Sequence, residues 1–250
     1  GLLNSSTIVN LIHMENMVMR IAFGTNATVF NKGRIQGYKG TYNQIKLEDI
    51  IEDIPEKFPI LENRYNCVSG DNFELIPGSP IAYWASDRIY EIFEKSSLIN
   101  NFAVPRQGMS TGDVDRFVRF WYETNINETN IKGNKKWVKY NKGGTFRKWY
   151  GNKENILYWN NNGNTLKKSK ATLRNQDYYF KEFLAWSKVS SGDISFRDFS
   201  EDFLFDGAGG SLFVYEKANK QYIQGYLNTT INKEILKITS PTLNYNESHI

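Results

Sequence analysis

The run from Lys132 to Lys153, KGNKKWVKYNKGGTFRKWYGNK, constrains this chain most. It holds eight basic residues, no acidic ones, and five aromatics (Trp137, Tyr140, Phe146, Trp149, Tyr150) set among the cations. A 250-residue chain of net charge +4 has gathered its surplus positive charge here. Two structures satisfy such a pattern. One is a surface for a polyanion whose bases stack on the rings, with Gly143-Gly144 letting backbone approach a phosphate. The other is a twisted amphipathic hairpin, with Trp137, Tyr140, Phe146 and Trp149 facing a core and the lysines facing water.

Composition limits the alternatives. With 40% hydrophobic and 15% aromatic residues the chain can bury a substantial core. No run of eighteen apolar residues is present to span a bilayer, and the amino terminus lacks the basic-then-apolar pattern of a secretory signal, so a cytoplasmic protein is expected. A single cysteine, Cys67, excludes an internal disulfide, and with only His13 and His249 beside it there is no ligand set for a structural zinc.

In chain order, Arg20 to Phe30 is a β-branched and aromatic run broken at Gly24 and followed by the turn-forming Asn31-Lys-Gly-Arg34, which predicts strands joined by tight turns. Gly1-Leu-Leu-Asn begins in mid-pattern, as expected of a segment of something longer. Residues 46–80 are acidic and punctuated by Pro55, Pro59, Pro77 and Pro80, which places a domain boundary there. Ser86 to Lys95 predicts a short helix with Ser86 as N-cap. Pro105 to Asp113 reads as a loop leading into a strand over Arg116 to Glu123. Tyr178 to Lys188 fits helix or strand, and Asp193 to Phe213 predicts short strands around Gly207, Gly209 and Gly210. Ile223, Leu227, Ile231 and Ile235, spaced by four, predict one helix over 222–238 that stops near Pro241.

The run Asp206-Gly-Ala-Gly-Gly-Ser211 is superficially similar to the glycine-rich loop with which adenine methyltransferases hold S-adenosylmethionine. Such a loop needs a helix after it, whereas Leu212-Phe-Val-Tyr215 is a strand signal, so a glycine-rich turn between strands is expected. The Asn/Asp-Pro-Pro-Tyr/Phe tetrapeptide that grips a flipped adenine is absent, since Ser79-Pro80-Ile81-Ala82-Tyr83 does not match it.

Pro105 to Glu123, Tyr140 to Gly151, Asp177 to Glu182 and Trp186 to Ser191 resemble the carboxy-terminal half of BREX phage-defence adenine-specific DNA methyltransferases, the PglX family. Phe23 to Ala27, Gly37 to Tyr42, Ile76 to Trp84 and Ser240 to Asn244 resemble it in the same order, so the resemblance covers nearly the whole chain. It implies an α+β fold of mixed twisted sheets with a few helices. Residues 1–45 would be the last strands of a catalytic domain, 46–80 a connection, and 81–250 a DNA target-recognition domain related in kind to type I specificity subunits. It also implies that the S-adenosylmethionine site and the catalytic residues lie upstream. This chain alone would then hold no cofactor and no activity, and its partners would be double-stranded DNA and other phage-defence proteins.

On that reading Lys139, Lys142, Arg147, Lys148 and Trp149 hold the duplex, and the loop carrying Arg106, Gln107, Thr111, Asp113 and Arg116 reads bases, because Arg suits guanine and Gln suits adenine in the major groove. Arg106 is equally suited to an ion pair with Asp113 or Asp115. Lys188 and Arg197 mark a second candidate reading surface. Other functions stay open: a module for single strands or RNA that uses its rings as stacking platforms, or a protein-interaction domain.

Overall fold

The structure is a computed structural model that describes residues 2–52, 54–129, 136–190, 193–240 and 244–250. The chain forms two compact units, Gly1–Ser96 and Ser97–Ile250.

In the first unit a one-turn helix α1 (Leu2–Ser5) leads into β1 (Ser6–Met14), β2 (Thr25–Lys32) and β3 (Lys39–Ile45). A two-stranded ribbon follows, β4 (Ile50–Ile51) with β5 (Ile54–Pro55), and then β6 (Arg64–Ser69), a short α2 (Gly70–Phe73) and α3 (Asp87–Lys95). The main sheet has the order β2-β1-β3-β6, with β1 antiparallel to β2 and parallel to β3. Its centre is Tyr42, fully enclosed, stacked on Tyr83 at 5.1 Å and edge-on to Phe73 at 5.7 Å.

The unit divides from the second at Ser96/Ser97, later than the connection expected at 46–80. The reason lies in β6, whose Arg-Tyr-Asn-Cys-Val-Ser sequence has little strand character of its own. It becomes a strand by pairing with β3, and that pairing keeps residues 46–80 within the unit. The run from Arg20 to Phe30 is strand only from Thr25. Before it the chain turns, Met17 N donating to Ile21 O at 2.8 Å.

The second unit contains β7 (Ala103–Arg106), α4 (Val114–Phe117), β8 (Val118–Phe120), β9 (Trp137–Asn141), β10 (Asn155–Tyr158) and α5 (Asn160–Lys167). Then come β11 (Phe183–Ser187), β12 (Arg197–Phe199), β13 (Phe203–Phe205), β14 (Gly209–Val214), α6 (Lys220–Leu227) and α7 (Thr230–Thr239). The strands make two mixed or antiparallel sheets, β13-β9-β10-β8 and β12-β11-β14-β7, so the unit is α+β as expected.

The strand β11, Phe-Leu-Ala-Trp-Ser, settles the helix-or-strand choice left open at 178–188 and explains the core. Successive side chains of a strand point to opposite faces. Phe183 and Ala185 therefore join Phe199, Phe203, Phe205 and Phe213, while Leu184 and Trp186 join Phe196, Leu212, Ile223, Leu227 and Leu236. Each enclosed phenylalanine contributes about 1.5–3 kcal/mol. Trp186 lies flat across β14: a Cβ added at Gly210 would sit 2.1 Å from its Cε2, so that position admits only glycine.

Two elements differ from expectation. The helix expected over 222–238 is two helices, broken at Asn228-Thr229. The Asn228 amide accepts from Phe196 N at 3.0 Å and donates to Phe196 O at 2.9 Å, which draws the backbone out of the helix, and Thr229 caps the next one by accepting from Asn232 N at 3.2 Å. The strand expected over 116–123 is only Val118–Phe120. Asp113 caps α4 before it, and after it the Glu123 carboxylate accepts from Phe120 N at 2.6 Å to close a 3₁₀ turn.

Candidate nucleic-acid interface

Strands β9 and β10 pair antiparallel, and the loop 142–154 between them carries most of the basic and aromatic residues singled out in the sequence. Lys132 and Lys135 lie outside the described residues. The residues of the run divide between core and surface. Val138 and Tyr140 are enclosed, and the Tyr140 hydroxyl donates to Asp206 Oδ2 at 2.5 Å; burial, then the neighbouring carboxylate, push that phenol well above its ordinary value. Phe146, Trp149 and Tyr150 stand at the surface, 52%, 51% and 70% exposed.

The cations divide as well. Lys139 is bound to Asp202 at 2.5 Å, and Arg147 to Glu154 at 3.2 Å. Lys148 donates to the Asn228 carbonyl at 3.3 Å, and Lys153 lies 4.1 Å from the centre of the Tyr150 ring. Among the described residues Lys142 has no ion-pair partner. Burial of Asp202 opposes its charge, but hydrogen bonds from Lys139 and Ser200 outweigh it and hold the carboxyl below its usual range.

Arg197 holds this loop from beneath. It is fully enclosed, donating to Arg147 O at 3.5 Å, Ser195 Oγ at 3.2 Å and Ser187 Oγ at 3.1 Å, and Ser187 Oγ in turn donates to Gly144 O at 2.6 Å. Gly144 and Arg147 of the loop are thus tied to one guanidinium. Its Nε has no partner, and no carboxylate lies within ion-pairing distance among the described residues. Burial, and then the neighbouring Arg147, pull its pKa down to about 10, so it stays charged at neutral pH.

The polar loop after β7 is also fixed. Arg106 does not pair with Asp113 or Asp115. Its guanidinium lies 4.9 Å from the centre of the Tyr178 ring and donates to Tyr178 Oη and Pro105 O, both at 3.2 Å. Asp113 instead caps α4 by accepting from Arg116 N at 3.1 Å, and the Arg116 side chain lies over Phe117. Gln107 is exposed, while its carbonyl accepts from Asn175 Nδ2 at 2.8 Å. Gly108 is pressed against the chain, since a Cβ there would meet Phe205 O at 2.3 Å.

Three of the twelve residues selected from sequence are enclosed rather than presented. Thr111 is 2% exposed, Lys188 is 8% exposed and bound to Glu247 at 2.6 Å, and Arg197 serves as described above. Of the remaining nine, Arg106 and Gln107 stand at the end of β7, Asp113 and Arg116 at α4, Lys139 on β9, and Lys142, Arg147, Lys148 and Trp149 on the loop 142–154; the loops after β7 and after β9 meet at one turn. Gly207 N donates to Met109 O at 2.7 Å, and Gly143 lies against Ala208, its added Cβ 3.4 Å from Ala208 O. Sequence reasoning missed Asn175, Ser187, Gln224 and Asn228, which fix these loops through partners 43 to 80 residues away. It also left unused the exposed rings of Phe120, Trp121 and Tyr122, of which Phe120 and Tyr122 stack at 5.3 Å.

Over nearly its whole length the chain is similar to bacterial adenine-specific methyltransferases, as the sequence motifs led us to expect. It is 33% identical over 269 aligned residues to adenine-specific methyltransferase PglX of Lacticaseibacillus casei (strain Zhang), and 35% identical over 257 to adenine-specific methyltransferase BrxX of Escherichia coli O9:H4 (strain HS). These alignments take in 97% and 98% of the chain but only 22% and 21% of the relatives' own lengths. No family model matches. Among solved structures, the type IIL restriction-modification enzyme MmeI in complex with DNA aligns with 98% of this chain and 33% of its own, at a TM-score of 0.47 and 13% identity.

Proposed function

We propose that this chain is the DNA-reading portion of an adenine-specific methyltransferase of a phage-defence or restriction-modification system. In this reading residues 97–250 form its target-recognition domain, and the first unit contributes the closing strands of the catalytic part. An enzyme that methylates adenine N6 must extrude the base while another surface holds the duplex and reads its sequence. The observation that carries the proposal is the pair of braced loops sharing one turn. One presents Lys142, Arg147 and Lys148 with exposed rings, which suits phosphates; the other presents Gln107 beside Arg106 and Arg116, which suits base edges.

S-adenosylmethionine would serve the whole enzyme from residues outside this chain. The run Asp206 to Ser211 does not fit it, because the turn is packed against Met109 O and Trp186 and continues into β14 rather than into a helix. An enzyme acting on cellular DNA would work in the cytoplasm, where other proteins of the same defence system would be its partners. Among the described residues no helix is long and apolar enough to cross a membrane.

Binding to labelled duplexes of random sequence, with single-stranded DNA and RNA as competitors, tests the reading. Duplex preference with strongly salt-dependent affinity, and enrichment of one short sequence on repeated selection, are the expected results. Tighter binding to single strands would replace it with a stacking module, and no binding to either would refute nucleic-acid recognition.

A further inference from the structure

Trp149 is the anomaly of the basic loop. It adopts φ +69°, a left-handed conformation that is costly for any residue with a Cβ and most of all for a bulky one. The other positive-φ residues of the loop are Gly143, Gly144, Gly151 and Asn152, the types that tolerate it. Such strain persists only where the surroundings impose it, and here they do. Trp149 N donates to Phe196 O at 3.2 Å, and its carbonyl accepts from Asp198 N and Gln224 Nε2, both at 2.9 Å. The backbone is thereby joined to β12 and α6, which fixes the direction of the side chain.

What is held in place is an indole that the protein leaves half exposed. Trp186 and Trp159 are enclosed in the core, whereas Trp149 is 51% exposed and makes no ring contact among the described residues. Trp121 is equally exposed, but it packs edge-on against Tyr122 at 5.7 Å, next to the acidic Glu123. Trp149 instead is flanked in sequence by Arg147, Lys148 and Lys153. A rigid, exposed aromatic surface among cations is complementary to a base whose stacking partner has been removed, beside the phosphates that flank it.

We propose that Trp149 is a wedge that enters an unstacked base step of the bound duplex and stacks on the exposed base. This deepens the DNA-reading function and rests on it. The wedge supplies stacking where the helix is opened, so it acts on DNA that is locally deformable, while the neighbouring cations act on any duplex. A preformed wedge also accounts for the strain, since its backbone conformation is already set when DNA arrives.

The test compares the 250-residue chain with its W149A and W149F variants on one duplex, fully paired or carrying a single abasic site. Unstacking costs less at the abasic site, so the wild-type chain should bind that duplex about tenfold more tightly than the paired one. W149A should lose that preference, W149F should keep part of it, and the salt slope should stay the same in both because no cation is removed. Melting temperature should not fall in W149A, since an exposed ring contributes little packing and alanine relieves part of the strain. Wild-type preference in W149A, or a fall in its melting temperature without any loss of DNA preference, overturns the wedge while leaving DNA reading intact. Absence of DNA binding by the wild-type chain overturns both.

Discussion

The ion pair between Arg147 and Glu154 allows the electrostatics of the basic loop to be tested in both directions. Each lysine or arginine that neutralises a phosphate releases counterions and adds about 0.9 to the slope of log affinity against log salt. Lys142 has no acidic partner among the described residues and Lys148 bonds only a carbonyl, so each should count in full. Arg147 has Glu154 at 3.2 Å, and both side chains are substantially exposed, so the pair is weak and must be given up when a phosphate arrives. K142A/K148A should therefore flatten the slope by about 1.8, which reduces the affinity lost between about 50 and 200 mM salt by roughly 12-fold. R147A should flatten it by less than a full contact. E154Q, which frees Arg147, should tighten binding at low salt and steepen the slope by up to about 0.9. Fluorescence anisotropy on two duplexes of unrelated sequence, at five salt concentrations, gives these slopes. An unchanged slope in K142A/K148A would show that these lysines only solvate a hairpin. An E154Q variant that binds as wild type or more weakly would refute the competition between Glu154 and phosphate.

Three further outcomes are expected. Q107A in the complete enzyme should cost about 1–3 kcal/mol on the cognate site, much less on random duplex, and relax one position of the recognition sequence in a methylome; an unchanged sequence at normal methylation would give that loop a purely structural role. G210A should fail to fold, as read by circular dichroism, because its Cβ would lie 2.1 Å from Trp186. Asp202, held below its ordinary carboxylate pKa, adds stability that is present above the unfolded value of about 3.9 and lost as pH falls through the lower folded value. D202N should therefore melt at lower temperature at pH 7 and lose less on going from pH 5 to pH 3 than wild type.

The legible parts of this fold are those decided by neighbours in sequence. The helix from Asp87 to Lys95, the turn at Gly207-Ala208 and its continuation into a strand are legible, because side-chain period and turn residues act locally. The break between α6 and α7 was hidden, since the apolar spacing runs through it. What breaks the helix is Asn228 bonding to Phe196, 32 residues earlier. Lys188 and Arg197, a second candidate reading surface in the sequence, are enclosed in the structure. Their burial depends on Ser187, Arg147 and Glu247, which only the tertiary structure brings to them. The rings of the basic run divided between core and surface because Tyr140 lies on a paired strand, whereas Phe146, Trp149 and Tyr150 lie beyond its end.

Several costs to the free protein fall within or directly beneath the loop 142–154. Arg197 is buried with an unpartnered Nε and without a carboxylate in ion-pairing range among the described residues, Arg147 lies close enough to repel it, and Trp149 holds a left-handed backbone. A chain selected for stability alone would place Met or Leu at the first position and Gly at the last, since a buried charge without a counter-charge is costly and glycine suits positive φ. Rules broken together at one place mark a surface adapted to something outside the fold. On the proposed reading a polyanion would relieve one of these costs: a phosphate at Arg147 would bring negative charge toward two cations at once and draw Arg147 away from Glu154. On the proposed reading, binding would do more than add contacts to a finished surface, because it would add negative charge beside Arg147 and Arg197, where, among the described residues, Glu154 alone supplies it in the free chain.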